Sequence, residues 1–130
     1  MAYNLSLNGS VTSSEINFLM DLIVPGREHD DFNETLKRSL AYVIVRDEGG
    51  NLIGYCNLAW DGGRHATIFD LNVHPDHRNK DFVFLMLEEL LEVAKNTPSL
   101  RFLHADFNKS RTKIAEKYGF DIINGGIMYL

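Results

Sequence analysis

Between Ala41 and His74 three β-rich runs follow one another with only short, glycine-containing breaks between them. "AYVIVRD" and "NLIGYCNLAW" flank "EGGN", whose glycines accept the positive φ of a hairpin turn, and "DGG" separates the second run from "HATIFDLNVH". In the last run Thr67, Phe69, Leu71 and Val73 alternate with Ile68, Asp70, Asn72 and His74, the two-residue period of a strand. Breaks this short leave no room for a crossover helix, so the three strands form an antiparallel meander. The rest of the chain has to pack on it.

From Asn79 the period changes. Val83, Met86, Leu87, Leu90 and Ala94 share one helical face, while Glu88, Glu89, Glu92 and Lys95 lie mostly opposite. "LRFLHADF" predicts a further strand, "KSRTKIAEKY" a helix ended by Gly119, and "FDIINGGIMYL" two strands around Asn124-Gly125-Gly126. Upstream, "AYNLSL" reads as an edge strand. Thr12 to Glu15 is a capping box opening a helix that Pro25-Gly26 closes, and Asp31 with Glu34 opens a short helix to about Leu40. The predicted order is β-α-α-β-β-β-α-β-α-β-β. It describes one α/β (α+β) domain over residues 1–130, with a central mixed, mostly antiparallel sheet flanked by helices.

Composition agrees with one soluble, cytoplasmic domain: 130 residues, 45% hydrophobic and 24% charged. The longest apolar run, Phe82 to Leu87, is far short of the roughly 20 residues that span a bilayer, and the first ten residues lack a basic-then-apolar signal pattern. No membrane association is expected. A net charge of −5 argues against a general nucleic-acid surface, and the lone Cys56 has no partner for a disulfide or a zinc site. The charge is unevenly placed: Arg101, Lys109, Arg111, Lys113 and Lys117 crowd the last thirty positions, while Glu28, Asp30, Asp31 and Glu34 cluster early. An anion is suited to one end and a cation to the other.

The passage from "DLNVHP" into the long helix is the most informative junction. A strand running through Pro75 into a helix start leaves the first helical N–H groups without intrahelical partners, and the positive end of the dipole favours an anion there. Arg78 and Lys80 add two cations at that place.

At these residues the sequence resembles the GNAT superfamily of acyl-CoA-dependent N-acetyltransferases. "LNVHPDHRNKDFVFLMLEELL" supplies Leu71, Val73, Pro75, Arg78 and Lys80 in the spacing of the family's central strand, turn and helix, and "DGGRHATIFD" and "AEKYGF" also match family patterns. The likeness covers roughly Ala41 to Leu130. It implies acetyl-CoA as cosubstrate, with Arg78, Asn79, Lys80, Asp81, Phe82 and Val83 as a phosphate-holding turn. Leu71, Asn72 and Val73 would be the strand that pairs with the pantetheine arm, and Asn108 would contact the CoA arm. The turn is degenerate: Asp81 and Val83 stand where the family usually has small residues that let phosphate approach the backbone. Ala115 occupies the place of a common tyrosine acid, and Tyr118, three residues later, is the substitute candidate.

The implied chemistry is direct acetyl transfer to a primary amine of a small molecule or a protein. A carboxylate takes the amine's proton and a backbone N–H holds the oxyanion. Asp70 is the base candidate and His74 a second one, by its pKa near neutrality. His65, His77 and His104 are too scattered in sequence to predict a metal site. The alternative reading is a GNAT-fold binding or assembly module that has lost catalysis. Edge strands of such a sheet also offer a homodimer contact.

Overall fold

The computed structural model describes residues 2–78, 80–107 and 111–130. Its elements run β1 (Tyr3–Leu7), α1 (Ser13–Ile23), α2 (Phe32–Arg38), β2 (Ser39–Asp47), β3 (Leu52–Trp60), β4 (His65–Val73), a 3-10 turn (Pro75–His77), α3 (Phe82–Lys95), β5 (Phe102–Ala105) and α4 (Thr112–Tyr118). The five strands lie in sequence order in one sheet. β1 to β4 are antiparallel neighbours, and β5 joins β4 in parallel. The expected meander is β2–β3–β4, and the strand–helix–strand step that follows it accounts for the one parallel pair.

Helix boundaries follow local chemistry. Thr12 and Glu15 form a reciprocal capping box at α1, and the Asp31 carboxylate accepts from the Asn33 N–H at α2. α4 ends at Gly119 with φ of 77°, where a left-handed residue closes the helix and the Phe120 N–H reaches the Ala115 carbonyl.

Two cores form, one on each sheet face. Ile16, Leu19, Met20 and Phe32 of α1 and α2 pack on Ile44, Leu52 and Tyr55. Phe82, Met86, Leu87 and Leu90 of α3, with Ile114 of α4, pack on Val43, Val45, Ile53, Leu58 and Ile68. α3 comes close to the sheet at Gly54, where a Cβ would stand 3.2 Å from the Met86 sulfur. Cys56 is fully buried, and burial pushes its thiol up to about 12. Among the described residues no helix is long and apolar enough to cross a membrane.

The two strands expected after α4 do not form. Residues 120–130 carry no strand, and Ile122, Ile123, Ile127, Met128, Tyr129 and Leu130 are exposed. An alternating apolar pattern makes a strand only where a neighbouring backbone takes its hydrogen bonds, and here no ladder joins the segment to β5.

Candidate active site

The site begins with a defect in β4. Tyr55 pairs with Asn72 and Asn57 with Phe69, so Asp70 and Leu71 together oppose the single residue Cys56. That is a β-bulge, and Asp70 takes its left-handed position with φ of 55°. Aspartate tolerates this conformation better than most residues, yet a non-glycine residue there still costs about 1 kcal/mol or more. The Asn72 amide donates to the Asp70 carbonyl at 3.0 Å, which supports the kink.

A second feature meets the bulge. β4 and β5 pair from His65 with Phe102 to Ile68 with Ala105, and no further. β4 continues to Val73, whereas β5 ends at Ala105 and is followed by Asp106 and Phe107. The parted strands enclose a cavity of about 250 Å³, lined by Ile68, Asp70, Leu71, Phe107, Arg111 and Phe120 among others. Most of the residues around it are apolar. Phe107 and Phe120 meet edge to face at 5.0 Å and close one side.

The charges around this cavity are held uneasily. Burial pushes the Asp70 carboxyl above its ordinary range, and the Asp30 charge adds to that shift while Arg27 opposes it. Asp70 keeps an exposed surface despite the protein packed around it, so the group is within reach of solvent. Arg111 donates to the Leu71 carbonyl at 3.0 Å, and its guanidinium is held below its usual range by burial first and the Arg78 charge second. The Arg78 charge thus acts on Arg111, which lines the cleft.

The remaining predicted residues divide clearly. Leu71 lines the cavity, whereas Val73 is buried, pairs with Gly54 of β3 and does not line it. Arg78 is exposed at the end of the 3-10 turn, and the Lys80 N–H donates to the His77 carbonyl at 3.2 Å. Asp81 is the N-cap of α3 but its exposed side chain makes no capping bond. Phe82 is 1% exposed and meets Tyr3 edge to face at 4.8 Å, and Val83 leans on the same core. Any role for Phe82 and Val83 at the turn falls to their backbone. Asn79 and Asn108 lie outside the described residues. His74 accepts from the Asp76 N–H at 3.1 Å and is spent on the turn.

Tyr118 is not brought to the cleft. Its hydroxyl donates to Glu88 of α3 at 3.2 Å and its ring packs near Phe84. Burial, then the Glu88 charge, pushes it up to about 12. The helical phase places Tyr118 toward α3, and Ala115, three residues earlier, is buried in the core.

The sequence matches the model of the acetyltransferase (GNAT) family over residues 15–120. The chain belongs to that family. Among solved structures it resembles a GNAT-family protein from Streptococcus pneumoniae (TM-score 0.80, 17% identity, 99% of this chain and 98% of that one). It likewise resembles a probable acetyltransferase from meticillin-resistant Staphylococcus aureus (TM-score 0.79, 20% identity, 99% and 98%). An aminoglycoside N-acetyltransferase in complex with CoA is also similar (TM-score 0.67, 16% identity, 99% and 94%). At these identities the likeness is one of fold. No curated protein sequence matches the chain closely enough to count as a relative.

For a GNAT chain, the residues that sequence reasoning underweighted are Arg111, Phe107 and Phe120. Arg111 reaches Leu71 across forty positions, a contact no local pattern announces. Its one signal was the excess of basic residues near the last helix.

Proposed function

We propose that this protein is an N-acetyltransferase that moves an acetyl group from acetyl-CoA to a primary amine. The observation that carries this reading is the coincidence of three features at one place: the parted β4–β5 edge, the bulge at Asp70, and Arg111 under the Arg78 charge. A CoA arm fits such a cleft. Its amides need an unpaired strand edge, its chain needs apolar walls, and its phosphates need cations. The Leu71 carbonyl, though already accepting from Arg111, has a second lone pair for an arm amide. The first turn of α3, which no side chain caps, and Arg78 would face the phosphates. Bound there, acetyl-CoA would supply an acetyl group activated as a thioester, whose C–S bond breaks to release the CoA thiolate as the amine nitrogen bonds to the acyl carbon.

The chain's own residues would do the rest. Asp70, with its raised pKa, is a stronger base than an ordinary carboxylate and would take the ammonium proton of the acceptor. An N–H released from the ladder by the bulge would donate to the developing oxyanion. Asp30, whose charge reaches Asp70, favours an acceptor that arrives as a cation. Amines of small molecules and of protein chains both meet that description.

The test is calorimetry with acetyl-CoA followed by an assay of CoA release across a panel of small amines and amino-terminal peptides. Binding with amine-dependent release supports the enzyme. Tight CoA binding with no release on any amine assigns the chain to a binding module, a reading favoured by Tyr118 being tied to Glu88 and away from the cleft. No binding at millimolar CoA overturns both.

A further inference from the structure

His65 and His104 lie 39 positions apart in sequence, and the parallel pairing of β4 with β5 brings them together. His65 pairs with Phe102 and Thr67 with His104, and residues two apart on a strand share a face, so both imidazoles project from the same side of the sheet. His65 Nδ1 stands 2.9 Å from His104 Nε2, while the ring centroids are 5.1 Å apart with planes 29° from parallel. The contact is therefore between ring nitrogens rather than between ring faces. Phe102 stacks on His65 at 5.0 Å and 20°, which holds that ring's plane. Both histidines are exposed, and neither lines the cleft. The other neighbouring pair, His74 and His77, is built differently. Its rings meet edge to face at 5.5 Å, the His74 Nδ1 already accepts from the Asp76 N–H, and the His77 Nδ1 is buried.

We propose that His65 Nδ1 and His104 Nε2 together bind a divalent late first-row metal ion, nickel(II) or copper(II) in preference to zinc(II). Neutral imidazole is a ligand these ions favour, whereas hard cations such as Mg²⁺ prefer oxygen. The pair now shares one N–H between the two facing nitrogens. Moving that proton to the far nitrogen of its own ring is a change of tautomer, and it leaves two lone pairs for the ion with both rings neutral. Distance then decides between ions. At a metal–nitrogen length of about 2.05 Å, two ligands at a right angle stand about 2.9 Å apart, and two at the tetrahedral angle about 3.35 Å. The observed 2.9 Å fits the right angle of a square-planar or octahedral shell, which suits copper(II) and nickel(II), and is too short for tetrahedral zinc. The exposed His104 ring turns its lone pair onto the ion while the stack on Phe102 keeps His65 in place. Among the described residues no third histidine, cysteine or acid completes the group, so water takes the remaining positions and the ion stays open to an outside ligand. Bound there, it ties β5 to β4 one pair before the ladder ends at Ile68 and Ala105, where the two strands part.

The experiment is calorimetry on the full chain, without a histidine tag, titrated in turn with the chlorides of Ni²⁺, Zn²⁺ and Mg²⁺ near neutral pH. One Ni²⁺ per chain is expected, bound several-fold more tightly than Zn²⁺, with no heat from Mg²⁺. His65→Gln and His104→Gln should each weaken Ni²⁺ binding by about tenfold or more, since each removes one of two protein ligands. Both side chains are exposed, so the far-UV spectra of the variants should not change. His77→Gln should bind Ni²⁺ as the wild type does. A second measurement needs no variant: Cu²⁺ added well below one equivalent should broaden the ring resonances of His65 and His104 before those of His29, His74 and His77. No Ni²⁺ binding at millimolar ion overturns the proposal, as does a preference for Zn²⁺ or binding that survives either substitution. Broadening centred on His74 and His77 overturns it too. None of these readouts involves CoA, so the site can fail while the acetyltransferase reading stands, and the reverse.

Discussion

Two places in the molecule hold charged side chains against the sheet, and they treat charge in opposite ways. Where α1 meets β2, the Glu15 carboxylate accepts from the Thr12 N–H at 3.0 Å and from Arg46 at 2.5 and 3.1 Å, while Arg46 also donates to the carbonyls of Ser10 and Gly50. Every charge there is met, and Arg46 above all holds Glu15 down at about 2. Where β4 leaves β5, the same residue types are left short: the Asp70 carboxyl is pushed up and the Arg111 guanidinium pulled down, burial leading in both. The first corner stabilises the fold. The second holds groups whose charged forms burial disfavours, which is why the proposed site is placed there rather than at the first.

Removing the Asp70 carboxylate should break the comparison most severely. Asp70→Asn keeps the shape and suits the left-handed backbone, so turnover should fall about 10²- to 10⁴-fold, the range for general base catalysis. The wild-type rate should rise with pH through the raised Asp70 pKa, and that limb should vanish in the variant. Stability should move the other way. A carboxyl whose pKa is raised by folding contributes most when protonated and loses that contribution as pH rises through the folded value. At pH 7 the asparagine variant should therefore melt no lower than the wild type. A variant that keeps most of its activity and also melts lower would return Asp70 to a structural role.

Next in size is the cationic end of the cleft. Arg78→Ala should weaken CoA binding by about 1.5 to 3 kcal/mol, the range for a charge-assisted hydrogen bond, and should leave the melting temperature nearly unchanged because Arg78 is exposed. With Arg78 gone, Arg111 also loses the like charge that pulls it down. Unchanged affinity by calorimetry would take the turn out of the site.

The well-satisfied corner was the more legible of the two in sequence. Capping chemistry is local, and Thr12 to Glu15 and Asp31 to Glu34 announced α1 and α2 within one turn. Two-residue alternation and glycine turns announced β2, β3 and β4. The family motif pointed to the right junction, yet the cleft itself comes from events that alternation cannot encode. The bulge at Asp70 is an extra residue against β3 that reverses the faces: Ala66 and Ile68 are buried before it and Val73 after it, with Phe69 exposed, a switch that the even alternation of "HATIFDLNVH" hides. The parting of β4 from β5 depends on where two distant strands stop pairing. The last hairpin was misread because Ile122, Ile123 and Ile127 satisfy a strand pattern without a backbone to pair with in the same chain. Tyr118 misled for a related reason: three residues along a helix is close to one turn, but the small remainder sends its hydroxyl to Glu88.

Glu15→Gln probes the opposite side of the comparison. The lowered pKa means that the pair's stabilisation is fully present above about 4.5 and is lost as pH falls toward about 2. Because a third of the Glu15 side chain is solvated, the loss at pH 7 should be about 1 kcal/mol rather than the full electrostatic value. CoA affinity should not change, since Glu15 sits at the α1 end of the sheet and does not line the cleft. Chemical denaturation at pH 7 and again near pH 2 checks this, and a difference that persists undiminished in acid would show that packing, not charge, holds the corner.

Tyr118→Phe should have the smallest effect, and it sharpens the comparison from the catalytic side. The hydroxyl makes one hydrogen bond, to a partly solvated carboxylate, and losing it should cost about 0.5 to 1 kcal/mol of stability. Glu88 can turn to water once the partner is gone, which keeps the cost low. With a hydroxyl pushed up to about 12 and committed to α3, Tyr118 is a poor proton donor for a leaving thiolate, and turnover should stay within about twofold of wild type. A fall of a hundredfold with CoA affinity intact would mean that α4 turns its last residue into the cleft when CoA binds. Tyr118 would then join Asp70 in the chemistry, and the contrast between a settled α3–α4 contact and an unsettled cleft would have to be redrawn with α4 on the mobile side.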